Sequence, residues 1–81
     1  MRKYLGKITY NISENHPDKS CIKDYSKDKT YTFEDVYNID ENYFWSEESI
    51  IGYIKQDLKL VAGGGYDTKN VLNATYEIKQ I

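Results

Sequence analysis

Residues 46 to 62 read as one amphipathic helix with a marked start and stop, and that stretch constrains everything else the chain can do. With successive residues about 100° apart, Ile50, Ile51, Ile54, Leu58, Val61 and Ala62 form one apolar face. Gly52, Lys55, Gln56 and Lys59 stand opposite. Ser46 is suited to cap the N-terminus, since its hydroxyl can accept a first-turn amide. Glu47 and Glu48 place negative charge at the positive end of the dipole, and Lys55 and Lys59 lie toward the other end. Trp45 and Ile50 have the spacing of a hydrophobic staple. Gly63 is expected at the left-handed position that ends the helix.

A helix with one oily side needs a second layer to bury it. Three alternating runs supply that layer. In residues 3 to 13, Tyr4, Ile8, Tyr10 and Ile12 point one way, and Lys3, Leu5, Lys7, Thr9 and Asn11 the other. From Thr30 to Ile39, Tyr31, Phe33, Tyr37 and Ile39 oppose Thr32, Glu34, Val36 and Asn38, with Asp35 misplaced on the apolar side. Cys21 to Tyr25 is a shorter run, read with Thr30 to Ile39 as a hairpin across Ser26-Lys27-Asp28-Lys29. A helical turn at Thr32 to Asp35 is its rival. From Val71 to Ile81, Leu72, Ala74, Tyr76 and Ile78 share a face against Asn73, Thr75, Glu77 and Lys79.

The expected fold is therefore α+β, in the order β-ββ-α-β. A three- to four-stranded, mostly antiparallel sheet carries one helix, about 46–62, on one face, with the terminal strands adjacent. The chain of 81 residues is read as a single domain, 1–81. So short a chain spares little apolar surface, so many of its nine tyrosines belong in or beside the core. Tyr4, Tyr10, Tyr31, Tyr37 and Tyr76 fit core faces; Tyr25, Tyr43, Tyr53 and Tyr66 are harder to bury.

A formal charge of −2 lacks the basic signature of a nucleic-acid or anionic-membrane binder. No apolar run reaches the ~18 residues of a membrane-spanning helix. A single cysteine, Cys21, and no signal-peptide pattern make a cytoplasmic protein the expectation.

The glycines Gly63-Gly64-Gly65 follow a helix rather than precede one, which is the wrong dipole sign for a phosphate loop. Asp57 lies at the edge of the apolar face and needs a partner such as a tyrosine hydroxyl or a loop amide. Its partner-binding role is ranked above a catalytic one, because no second carboxylate is placed beside it. His16, Asp18 and Cys21 lack the paired spacing of a zinc site, and His16 is expected in a mobile loop. The acids from Asp40 to Glu48 put Trp45 where a calcium loop needs glycine. No metal, no cofactor and no catalytic group is expected, and the chain is read as not an enzyme.

The runs Tyr43-Phe44-Trp45-Ser46-Glu47-Glu48 and Asp57 to Thr68 resemble small uncharacterised proteins of phages and other mobile elements. In size and acidity the chain is also similar to phage inhibitors of host defence, including anti-CRISPR proteins. That resemblance implies stoichiometric binding to a protein partner. The expected surface uses Tyr43, Phe44, Tyr53 and Tyr66 as anchors, Glu41, Glu47 and Glu48 as a charged rim, and Asp57. The chain is expected to act as a monomer or homodimer. The alternatives are a single-stranded nucleic-acid module using Lys3, Lys7 and Lys79 on the outer sheet face, and a small-ligand site at Asp57 and the Gly63–Gly65 loop.

Overall fold

The computed structural model describes residues 1–16, 25–26, 28–64 and 68–81. Strand β1 (Arg2–Ile12) is central and pairs antiparallel with β2 (Tyr31–Ile39) on one side and β3 (Val71–Gln80) on the other. Helix α1 (Glu47–Ala62) lies between β2 and β3 in sequence and covers one face of the sheet. The fold is α+β, with the terminal strands side by side as expected, in a strand order that the amphipathic patterns alone leave open.

Alternation in β1 sorts its residues as expected. Tyr4, Gly6, Ile8, Tyr10 and Ile12 are buried, and the residues alternating with them are only partly covered. Ile50, Ile54 and Leu58 of α1 descend onto this face and are all buried. Gly6 sits at the crossing point. A Cβ there would lie 3.0 Å from Ile54, 3.1 Å from Leu58 and 3.3 Å from Tyr37, so any larger residue on β1 would force these side chains to give way. Tyr37, Ile39 and Val71 complete the buried core.

One expectation is only partly described and three need correction. First, β2 pairs antiparallel with β1, and the sequence also set a Cys21–Tyr25 arm beside it. Residues 21–24 of that arm lie outside the described residues, and Tyr25 is not in a strand. Extended backbone prevails over the rival helical turn at Thr32 because the alternation of Phe33, Tyr37 and Ile39 is needed to close the core.

Second, the register of β3 shifts between Thr75 and Leu72, where Asn73 adopts φ 54°. The extra residue turns Leu72 to the outer face, 42% exposed, opposite Asn11, and Val71 enters the core in its place. Asn11 fastens this corner by donating to the Lys29 carbonyl (2.8 Å) and accepting from Asn73 Nδ2 (3.1 Å).

Third, the ends of α1 differ in detail. Ser46 caps it, and Ser49 returns the bond to the Ser46 amide (3.3 and 3.1 Å). Trp45 is 99% exposed and forms no staple; Phe44 packs against the core instead. The left-handed residue is Gly64, φ 72°, one position beyond Gly63. The Gly63 amide reaches the Lys59 carbonyl (3.0 Å) and the Gly64 amide that of Val61 (2.9 Å). Val61, assigned to the apolar face, is 46% exposed, since the sheet is too narrow to cover that flank.

Fourth, His16 is 5% exposed. A turn built on Ser13, whose carbonyl accepts the His16 amide (3.1 Å), directs the imidazole to the C-terminus of α1. Its Nε2 lies 3.1 Å from the Gly63 carbonyl oxygen, so that nitrogen is the donor. A helix C-terminus leaves carbonyls without intrahelical partners, and His16 satisfies one of them.

Candidate functional site

The segment between β2 and α1 is short and turns sharply. Asp40 caps a 3-10 turn, Glu41–Tyr43, by accepting the Asn42 amide at 3.0 Å. Extended backbone at Phe44 follows, and then the Ser46 cap. This geometry points one aromatic inward and two outward. Phe44 is half-buried, whereas Tyr43 is 83% and Trp45 99% exposed. An indole left in water forgoes roughly 3 kcal/mol of burial, so nothing in the fold itself accounts for a tryptophan here.

Around these rings stand Glu41, Glu47 and Glu48, all exposed. The Met1 ammonium lies 3.5 Å from Glu41, in water, where such a pair contributes little. The Glu41 carboxyl is held below its usual range, first by a bond to its own backbone and then by the Met1 ammonium. Arg2 donates to the Tyr4 hydroxyl at 3.5 Å, and that bond above all raises its pKa, with Glu41 and Glu47 adding to it. A shallow hollow of about 230 Å³ is lined here by Arg2, Glu41, Phe44, Trp45, Ser46, Glu47 and Ile50. The combination is two exposed aromatics at the start of a helix, rimmed by three carboxylates.

From this end a chain of rings runs along the β2 flank of α1. Phe44 and Tyr53 have centroids 5.5 Å apart, and Tyr53 meets Tyr37 edge-on at 6.4 Å. Tyr37 then donates to Asp57 Oδ2 at 2.7 Å. Asp57 has the tyrosine partner that its place on the helix demanded. Burial first, and then the Asp57 carboxylate, raise the Tyr37 hydroxyl well above the ordinary tyrosine range. The groove beside them, lined by Tyr53, Gln56, Asp57 and Leu60, holds only about 190 Å³. Small-molecule sites typically need roughly 300 Å³ or more.

The structure thus joins Phe44, Tyr53 and Asp57 through Tyr37, a residue that the sequence assigned to the core alone. Tyr43, Glu47 and Glu48 form a neighbouring patch at the helix start, with Trp45. Tyr66 and Gly65 lie outside the described residues, as do Asp18 and Cys21. The sign that Trp45 belonged to this patch was its flanking by Tyr43 and the acids. The staple spacing obscured that sign.

The outer face of the sheet has a different character. The register sets Lys7 between Glu34 and Glu77, Leu5 between Val36 and Lys79, and Thr9 between Thr32 and Thr75. A depression of about 490 Å³ is lined by Leu5, Lys7, Glu34, Glu77 and Lys79 among others. Every strand aromatic among the described residues falls on the helix side by register, so this face offers no ring on which a base could stack. The lysines are interleaved with glutamates, which cancels the field that a phosphate backbone would need.

No helix among the described residues is long and apolar enough to cross a membrane. Comparison with protein-family models, with curated proteins and with solved structures finds no match for this chain.

Proposed function

We propose that this is a non-enzymatic binding protein that engages another protein through the N-terminal end of α1. The observation that carries the reading is Trp45, 99% exposed, beside Tyr43, 83% exposed. Tryptophan and tyrosine dominate interface hot spots because each contributes a large area at low entropy cost. Trp45 stands on backbone held between the Asp40 turn and the Ser46 cap, so binding has mainly its side chain left to order. Glu41, Glu47 and Glu48 favour a partner surface that carries arginine or lysine around an apolar hollow. The resemblance to phage inhibitors of host defence supports occupation of a larger machine as the mode of action.

The test is capture from cell lysate by immobilised wild type, compared with a Tyr43→Ala/Trp45→Ala double variant of unchanged circular dichroism. The variant is expected to lose the captured protein, with affinity down about 30-fold or more. A double variant that retains the partner refutes this site. Wild type that captures nothing across several lysates refutes the binding reading.

A further inference from the structure

The two edges of the sheet are built differently. On β2, the mid-strand residue on the helix side is a charge, Asp35, opposite Gly6. Its carboxylate is exposed and accepts the amide of the next residue, Val36, at 2.8 Å. A helix-side charge at mid-strand and a side chain seated on a strand amide both discourage another strand from pairing there. The β3 edge has neither device. Beyond the Asn73 bulge, its helix-side residues are Ala74, Tyr76 and Ile78, all half-buried and apolar.

Which groups of β3 face outward follows from one bond. The Ile81 amide donates to the Lys3 carbonyl at 2.8 Å, so Ile81 faces β1. Backbone groups alternate along an antiparallel strand, so Lys79, Glu77 and Thr75 also face β1. The amides and carbonyls of Tyr76, Ile78 and Gln80 therefore point away from the sheet.

We propose that this edge pairs with the same edge of a second copy of the chain, antiparallel and centred on Ile78. In that register Ile78 meets Ile78 of the second copy, and each Tyr76 meets a Gln80. All three residues have outward-facing backbone groups, so each of these pairs makes both of its ladder bonds. On the outer face, each Glu77 lies directly across from a Lys79, in the closer, non-hydrogen-bonded type of pair. Centring instead on Glu77 or on Lys79 would set like charges against each other. The charge pattern therefore favours this register over its two neighbours. A two-fold axis through Ile78, perpendicular to the sheet, closes the pair into a dimer with a continuous sheet and both helices on one side. Asp35 on the outer edges stops growth beyond two copies. This proposal stands apart from the partner surface at Trp45.

Sedimentation equilibrium between about 10 μM and 1 mM tests it, a span that covers weak self-association. The mass is expected to rise from 9.5 kDa toward twice that value. Glu77→Lys and Lys79→Glu, each folded by circular dichroism, should weaken the dimer about tenfold or more, since two attractive pairs become repulsive. The double exchange Glu77→Lys/Lys79→Glu should restore it. Amide exchange supplies a second reading: protection at Tyr76, Ile78 and Gln80 should rise with concentration. A monomer throughout the range overturns the proposal. So does a dimer indifferent to the single changes, or growth into open-ended assemblies.

Discussion

The two ends of α1 are held in opposite ways. At the C-terminal end, Gly63 is buried against Val71, and the buried imidazole of His16 reaches its carbonyl at 3.1 Å. At the N-terminal end, Ser46 and Ser49 satisfy each other's amides in water, and Tyr43 and Trp45 extend past them. One end is locked into the fold by a residue from a distant turn. The other is held by its own cap, and its aromatics have no part in the core. This contrast separates residues kept for stability from residues available for contact, and each of the following changes tests one side of it.

The largest effect is expected at the locked end. His16→Ala removes the donor to the Gly63 carbonyl and opens space beneath the helix terminus. Leaving a buried carbonyl unsatisfied costs about 1–3 kcal/mol. In a chain of this size that is a large share of the total. Urea unfolding should show the midpoint fall with an unchanged slope. A loss under about 0.5 kcal/mol, the scale of a surface change, would show that the His16 contact does not hold the end and would erase the contrast.

The locked end also shows where reading the sequence stopped. Period-two and helical patterns place Tyr4, Ile8, Ile54 and Leu58 in the core without knowledge of the pairing, because burial of a face is a local property of spacing. Asp57 needed a partner on chemical grounds alone, and Tyr37 supplies it. What spacing does not carry is where a loop returns. His16 lies 47 residues from Gly63 in sequence, and nothing near it encodes that approach. The Asn73 bulge is similar: Val71-Leu72 can face the core by either residue, and only pairing with Ile12 and Asn11 decides. At the other end, Trp45 and Ile50 had the spacing of a staple, but Phe44, and not Trp45, packs against the core. The exposed patch was legible as composition, aromatic and acidic, but not as geometry.

A smaller effect is expected midway, where the aromatic chain from Phe44 ends on Tyr37. Burial and the Asp57 carboxylate both favour the neutral Tyr37 hydroxyl in the folded protein. The unfolded chain, ionising near pH 10, loses that proton first. The folded protein therefore binds more protons than the unfolded one above pH 10. Stability from Tyr37 is whole below that pH and falls away as pH rises beyond it. Tyr10 and Tyr76, raised by burial, contribute in the same direction. Tyr37→Phe should cost about 1 kcal/mol at pH 7 and make the alkaline fall in stability shallower. Unfolding midpoints at pH 7, 10 and 11 measure both. An alkaline slope as steep in the variant as in the wild type would show that Tyr37 is not held neutral by its neighbours.

The smallest effect is expected at Trp45, and its smallness is the informative result. A residue 99% exposed contributes almost no packing, so Trp45→Ala should change the unfolding midpoint by an amount equivalent to less than about 0.5 kcal/mol. Tryptophan fluorescence gives an independent check, because the chain has a single tryptophan. Its emission should already lie at the solvent-exposed maximum in the folded protein and shift little on unfolding. A blue-shifted native spectrum, or a loss of 2 kcal/mol on substitution, would place the indole against the protein after all. The N-terminal end would then resemble the C-terminal one, and Trp45 would be a clamp for α1 rather than a surface offered to a partner. A silent substitution in the isolated chain, paired with loss of capture in the lysate experiment, separates contact from stability at one residue.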